Sequence, residues 1–153
     1  LEPGEENSGK LVTLIKKKAR EIAEKQNAEL IIADGPPGAG CPVISSLSGA
    51  DVAVIITEPT FSGISDMERV YKLIDNFRIK TFVVINKYDL NRDNTRNIED
   101  FCLKRGVKVL GKIPFDEEVE KAIEKEVPFV EDKQSKAARE LMKIWEVLNG
   151  ELR

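Results

Sequence analysis

Short apolar stretches that end in polar turns constrain the fold of this chain more than any other feature. Two of them run without a break, from Val52 to Ile56 and from Phe82 to Ile85. An unbroken apolar run of this length is typical of a strand buried on both faces, as in a parallel sheet covered by helices. With two further stretches, the sequence predicts strands at residues 29–34, 51–57, 81–85 and 107–113.

Amphipathic stretches separate these strands. Their helical spacing predicts helices at about residues 9–26, 42–47, 65–77, 95–105, 116–125 and 135–149. A capping-box pattern at Ser65 and Glu68 marks the start of the third helix, and Asp116 is placed to cap the fifth. This alternation of strands and helices predicts one α/β domain, with a parallel sheet and helices on both of its faces.

The first predicted strand delivers a single carboxylate to a loop of glycine and proline. Asp34 is followed by Gly35, two prolines and Gly38. Open α/β sheets bind ligands at the carboxyl ends of their strands, and Mg²⁺ takes few protein carboxylates there because it keeps several waters. We interpret Asp34 as a Walker-B-type residue that orders Mg²⁺ on a nucleotide. The alternative is an ordinary turn after a buried strand.

A second polar group follows the third predicted strand. Asn86, Lys87 and Asp89 match the NKxD pattern, in which the Asp accepts hydrogen bonds from two donors of a guanine ring. The pattern is short, and Asn and Asp are also frequent in turns that follow strands. The residues alone therefore leave two interpretations open, a guanine site and a structural turn.

Composition excludes several classes of protein. A net charge of −3 argues against a nucleic-acid-binding surface, and no apolar run approaches the roughly 20 residues of a membrane span. Cys41 and Cys102 lie far apart without a CxxC motif. This spacing argues against a disulfide framework or a zinc site and favours a reducing compartment, so that we expect a cytoplasmic protein.

A set of motifs that covers nearly the whole chain carries a family resemblance. The motifs lie at residues 6–12, 34–38, 40–42, 57–60, 62, 63, 66, 85–87 and 111–114. In combination they resemble the MinD/Mrp superfamily of deviant P-loop ATPases, and most closely the subgroup with an inserted ferredoxin domain.

The resemblance implies a P-loop NTPase-like fold of the MinD (SIMIBI) type. It implies that residues 1–153 are the C-terminal portion of a single such domain, with residues 1–8 as a leading loop. The family's Walker A loop and the cysteines that bind its iron–sulfur cluster would lie upstream of Leu1. The sheet would then lack the Walker A strand, and these 153 residues alone would not hydrolyse ATP.

The resemblance also implies roles for individual residues. Asp34 would coordinate Mg²⁺ through water, and Gly38 would belong to the switch II loop. Asn86 would contact the adenine base, with the turn at Ile113 and Pro114 packed near it. The resemblance therefore favours adenine over the guanine interpretation that depends on Asp89.

The function implied is an ATP-binding portion of an ATPase, with ATP and Mg²⁺ as ligands, linked to iron–sulfur cluster carriage or to ATP-coupled electron transfer. The resemblance further implies a homodimer and an iron–sulfur or redox protein as partner. Two alternatives stay open: a GTPase-type switch that reads guanine through Asn86 and Asp89, and a non-enzymatic scaffold that binds a partner protein.

Overall fold

A computed structural model of the chain describes residues 8–131 and 135–153. The predicted leading loop lies outside these ranges except for Ser8, which begins the first helix. The elements are α1 (Ser8–Gln26), α2 (Cys41–Leu47), β1 (Val52–Thr57), α3 (Phe61–Asn76), β2 (Lys80–Asn86), α4 (Arg92–Lys104), β3 (Lys108–Ile113), α5 (Glu117–Glu124), a 3₁₀ turn (Phe129–Glu131) and α6 (Lys136–Leu152).

The three strands form a parallel sheet in which their spatial order, β1-β2-β3, follows the chain. Along β1 and β2, Val52 lies opposite Lys80 and Thr57 lies opposite Ile85. The pairing of β2 with β3 shifts between Val83 and Val84. The predicted parallel sheet is therefore confirmed, with β2 as its central strand.

Side chains of β2 alternate between two hydrophobic cores. Val83 and Ile85 pack on one face with residues of α2, α3 and α4, among them Leu47, Met67, Ile74, Ile98 and Phe101. Phe82 and Val84 pack on the other face with Leu110 and with Ile144 of α6. Helices thus cover both faces of the sheet at β2, as its unbroken apolar run predicts. For the run in β1 the same prediction is wrong, because alternate residues Val54 and Ile56 are 37% and 68% exposed on one face.

The strand predicted at residues 29–34 is wrong. This segment has no regular structure and leaves Ile32 75% exposed. A strand needs a neighbour for its backbone hydrogen bonds, and among the described residues neither this segment nor the outer edge of β1 has one. At that edge Ile56 is 68% exposed. The apolar pattern of residues 29–34 favours a buried strand, but a strand forms only where a neighbouring strand accepts and donates its backbone hydrogen bonds.

The predicted start of the third helix is also wrong. The helix begins at Phe61, and Thr60 caps it by accepting a hydrogen bond from the Gly63 backbone N–H at 2.9 Å. The capping-box pattern at Ser65 and Glu68 lies inside α3. A Thr at the N-cap satisfies an orphan N–H as well as Ser65 could have done, and the apolar positions alone do not separate the two starts.

Basic side chains of α1 bond to the C-terminal end of α2 and the turn after it. Lys16 Nζ donates to the carbonyl oxygens of Ser46 and Ser48 at 2.6 Å, and Arg20 donates to that of Gly49 at 2.9 Å. These cations satisfy carbonyls at the C-terminal end of α2, where the helix dipole favours positive charge. Burial and the neighbouring Arg20 lower the pKa of Lys16.

One carboxylate joins the N-termini of two helices. As predicted, Asp116 caps α5, accepting from the Glu118 N–H at 3.1 Å. Its second oxygen accepts from the Ala137 N–H at 3.0 Å and from Ser135 Oγ at 2.8 Å, at the start of α6. These bonds, the one from Ala137 foremost, lower the pKa of Asp116 from 3.8 to about 2.

Replacing Asp116 with Ala is expected to destabilise the fold by about 1–2 kcal/mol at pH 7, since both helices lose an N-terminal acceptor. The folded-state pKa lies below the ordinary value of 3.8, so the stabilisation is present above about pH 4 and is lost as the pH falls toward 2. Urea denaturation at pH 7 and pH 3 measures both effects. The control is Glu117→Ala, and an unchanged free energy of unfolding in the Asp116 variant would contradict this role.

Close packing of α6 on β3 depends on Gly111. A Cβ at this position would lie 2.5 Å from Ile144 Cγ1. Gly111→Ala is therefore expected to cost about 1–3 kcal/mol of stability through overpacking. Gly150→Ala, within α6, would meet no heavy atom within 4 Å, and is expected to stabilise the helix by about 0.5–1 kcal/mol.

Thermal and urea denaturation of these two variants test the packing. The cost of Gly111→Ala should shrink in an Ile144→Ala background, because the clashing atom is then absent. If Gly111→Ala lowered the free energy of unfolding equally in the native and the Ile144→Ala backgrounds, the clash with Ile144 would not be the cause of the destabilisation.

Candidate functional site

The carboxyl ends of the three parallel strands meet at one edge of the sheet. Asn86 ends β2 and pairs in register with Ile113, the last residue of β3. Pro114 follows directly, and the Tyr88 N–H donates to the Ile113 carbonyl oxygen at 3.1 Å. The structure therefore places Asn86, Ile113 and Pro114 side by side, in the part of an α/β sheet where ligands bind.

Glu58, the first residue after β1, contacts Asn86 at the end of β2 and Lys87, the residue that follows it. Lys87 Nζ forms an ion pair with Glu58 Oε1 at 3.0 Å. Asn86 Nδ2 donates a hydrogen bond to the same oxygen at 3.4 Å. One carboxylate oxygen thus lies against both the amide and the ammonium group of the NKxD pattern.

Lys87 has an unusual backbone conformation, with φ of +49°. The other non-glycine residues with positive φ in the described ranges, Asn27, Arg78 and Glu126, each follow the end of a helix. There a left-handed residue commonly ends the helix. Lys87 instead follows a strand, and strain of this kind clusters at binding sites.

The turn after β1 holds the Glu58 backbone in place. The Thr60 N–H donates to the Glu58 carbonyl oxygen at 2.8 Å, and Asn94 Nδ2 donates to the Pro59 carbonyl oxygen at 3.1 Å. A Cβ on Gly63 would lie only 2.5 Å from the Glu58 carbonyl oxygen. Glycine at this position lets the first turn of α3 pack directly on Glu58.

Asp89, the residue of the guanine interpretation, bonds to protein backbone. Its Oδ1 accepts a hydrogen bond from the Phe115 N–H at 2.8 Å. This bond joins the turn after β2 to the turn after β3. The second carboxylate oxygen is not part of that bond, so Asp89 has one oxygen committed to the fold.

A cavity of about 500 Å³ opens beside these turns, lined by residues that include Tyr88, Asp89, Lys112, Pro114 and Phe115. Lys112 Nζ lies 5.5 Å from the centre of the Tyr88 ring and pairs with Glu99 at 2.7 Å. Three charged residues of α6, Lys136, Arg139 and Glu140, complete its lining, whereas Asn86 and Ile113 are not part of it.

The Asp34 loop makes no hydrogen bond to this cluster within the described residues. Asp34 is exposed, and its side chain forms no hydrogen bond or ion pair within the described part of the chain. Gly38 has φ of +85°, and a Cβ there would meet nothing within 4 Å. No hydrogen bond in residues 8–131 and 135–153 links this loop to Asn86. Strand pairing and hydrogen bonds thus link the segments that carry Asn86, Ile113, Pro114 and Asp89, and within the described ranges no such bond reaches Asp34 or Gly38.

The donors present fit a nucleotide-bound Mg²⁺ better than a protein-enclosed metal. Within the described ranges, no three His, Cys, Asp or Glu side chains lie close enough to hold a metal ion. Mg²⁺ is commonly held by one or two carboxylates, with water and phosphate as its other ligands. The exposed carboxylate of Asp34 and the open space at Gly38 match that requirement.

Glu58 lies in the resemblance motif at residues 57–60, but that motif assigns it no role. A signal for it exists in the sequence, because Glu58 follows the strand adjacent to β2 and the carboxyl ends of neighbouring parallel strands converge. Its partner Lys87 belongs to the NKxD pattern and to the resemblance motif at residues 85–87, and neither assigns it a contact with Glu58.

In the part of the chain that the structure describes, no helix has the length and apolarity needed to cross a bilayer.

Comparison with known proteins shows the family. A ParA family model described as NUBPL iron-transfer P-loop NTPase matches residues 8–149. An uncharacterized protein of Methanocaldococcus jannaschii, MJ0578, is 36% identical over 148 residues, which make up 97% of this chain and 48% of that protein. The chain thus spans about half the length of this curated relative.

Two solved structures share the fold. A chain of the MinC:MinD cell division protein complex of Aquifex aeolicus superimposes with a TM-score of 0.76 and 24% identity, over 91% of this chain and 59% of that one. MinD of Pyrococcus horikoshii OT3, complexed with Mg-ADP, gives a TM-score of 0.67 and 21% identity, over 89% and 58%. With the family model across residues 8–149, the chain belongs to the ParA and MinD/Mrp superfamily of deviant P-loop NTPases.

Proposed function

We propose that this chain supplies the base-binding side and the Walker-B-type carboxylate of an ATP site. The observation that carries the proposal is the register pairing of Asn86 with Ile113, which sets an amide beside the Ile113–Pro114 turn at the ligand-binding edge of the sheet. Mg-ADP, the ligand in the Pyrococcus horikoshii MinD complex, belongs to the same chemical class.

Adenine is the base that we propose. Asn86 contacts it through its side-chain amide, and Ile113 and Pro114 pack near the ring. The guanine alternative needs both oxygens of Asp89 to accept from the base. Because Asp89 Oδ1 already accepts from the Phe115 N–H at 2.8 Å, that alternative would compete with a bond of the fold.

Asp34 and Gly38 serve the phosphate end of the nucleotide in this proposal. Asp34 accepts a hydrogen bond from a water of the Mg²⁺ shell, and Gly38 belongs to a switch II loop whose open surroundings leave room for movement. When bound, Mg²⁺ neutralises charge on the phosphates. The phosphate cradle is expected upstream of Leu1, so we propose that residues 1–153 alone do not hydrolyse ATP.

The wider role that we propose is iron–sulfur cluster carriage or ATP-coupled electron transfer, in a homodimer that meets an iron–sulfur or redox protein. The description of the matching family model, iron-transfer P-loop NTPase, supports an iron–sulfur cluster as the group that is carried. Cys41 is exposed and Cys102 is buried, and we place the cluster ligands outside this chain. We also propose a cytoplasmic location, from the absence of a CxxC motif around the widely spaced Cys41 and Cys102.

Asp34→Asn is expected to weaken the dependence of ATP affinity on Mg²⁺, since the neutral amide holds the metal's water shell less strongly than a carboxylate. ATP affinity in the presence of EDTA should stay unchanged. Isothermal titration of the full-length protein with ATP, with and without Mg²⁺, measures both. The matched control is Asp51→Asn, an exposed Asp just before the amino end of β1.

Two results would count against this proposal. Retention of the full Mg²⁺ effect in Asp34→Asn would remove Asp34 from the metal site. Absence of any nucleotide binding by the full-length protein, together with binding of a partner protein, would favour the scaffold alternative.

A further inference from the structure

We infer that Glu58 is a positioning residue that sets base specificity: it fixes the orientation of the Asn86 amide and so selects a purine with an amino group at position 6. This inference rests on the proposed nucleotide site and deepens it. The Glu58 carboxylate lies against both Asn86 Nδ2 and Lys87 Nζ, at 3.4 and 3.0 Å from the same oxygen.

Glu58 and Asn86 differ in their hydrogen-bonding capacity. An ionised Glu has only acceptors, whereas an Asn amide presents donors on one side and an acceptor on the other. Only the Nδ2 side of Asn86 can therefore face Glu58 favourably. With Nδ2 held there, Oδ1 of Asn86 points away from Glu58 as an acceptor.

An Asn86 Oδ1 that points away from Glu58 distinguishes purines with a 6-amino group from purines with a 6-oxo group. The 6-amino group of adenine donates to Oδ1, whereas the 6-oxo group of guanine or hypoxanthine sets one acceptor against another. Without Glu58 the amide could rotate by 180° and offer Nδ2 to a 6-oxo base. A site built to bond one polar group rejects the analogue that leaves its groups unpaired.

Lys87 and the turn after β1 keep Glu58 available for this task. The Lys87 ammonium group pairs with the carboxylate while both side chains are only partly buried, 40% and 38% exposed. Such a half-exposed pair adds little stability. In this inference, the ion pair orients the Glu58 carboxylate. The backbone of Glu58 is held separately, by the Thr60 N–H and by the close approach of Gly63.

The test compares ADP with inosine diphosphate, in which the 6-amino group is replaced by a 6-oxo group. Isothermal titration with Mg²⁺ uses the full-length protein and its Glu58→Gln and Glu58→Ala variants. We expect the unchanged protein to prefer ADP by at least about tenfold, or about 1.4 kcal/mol. The preference should fall in Glu58→Gln, whose amide is no longer only an acceptor, and approach unity in Glu58→Ala.

A matched control and a second readout separate positioning from folding. Glu118→Gln removes a comparable surface pair, Lys121 with Glu118 at 2.7 Å, and should leave the ADP preference unchanged. The side-chain amide signal of Asn86 in a proton–nitrogen correlation spectrum should shift in Glu58→Gln even without nucleotide. Because Glu58→Gln has nearly the same shape as the native side chain, the test can still be made if Glu58→Ala does not fold.

The outcomes separate the positioning role of Glu58 from the proposed nucleotide site. If the unchanged protein prefers ADP and the Glu58 variants keep that preference, or lose affinity for both nucleotides equally, the positioning role is overturned while the proposed function stands. If the unchanged protein binds neither nucleotide, the proposed function is wrong and the inference falls with it.

Discussion

The structure depends on the position of β2 between two parallel neighbours. Each edge of this strand is hydrogen-bonded, and its side chains alternate between a core under α2, α3 and α4 and a core under α6. Because both faces and both edges are satisfied, β2 fixes the sheet in register. The same register sets Asn86 beside Ile113 and, through the turn after β1, brings Glu58 to Asn86. Fold and candidate site therefore depend on one set of backbone bonds.

Sequence patterns predict those parts of the fold whose partners lie nearby in the chain. Asp116 caps its helix because a cap depends on local chemistry. The runs at Val52–Thr57 and Lys80–Asn86 form strands because each also has a partner strand in the sheet. Residues 29–34 carry an equally apolar pattern and form no strand. A strand is defined by its neighbour as much as by its own residues, and hydrophobicity does not reveal which neighbour is present.

The candidate site shows the same division. Motifs identify Asn86 and the Ile113–Pro114 turn, and the sheet brings them together as expected for neighbouring strand ends. The contacts of Glu58 emerge only in the structure, since they join residues 28 positions apart and no short motif encodes such a pair. Likewise the role of Asp116 at α5 is visible in sequence, whereas its bond to α6, 21 residues away, is not.

Asp34 and Asn86 differ in how firmly the described fold holds them, and this difference has a physical meaning. Asn86 is the last residue of the central strand, in contact with a carboxylate whose backbone is pinned by Thr60 and Gly63. Asp34 lies in an exposed segment with an open glycine nearby. In the proposed nucleotide site, a firmly held Asn86 would allow discrimination between bases, because an oriented amide cannot adapt to the wrong base. In the same proposal, a loosely held Asp34 loop would suit a segment that responds to a terminal phosphate, since only an element with little intrinsic stability is reordered by the few kcal/mol that one ligand contact provides.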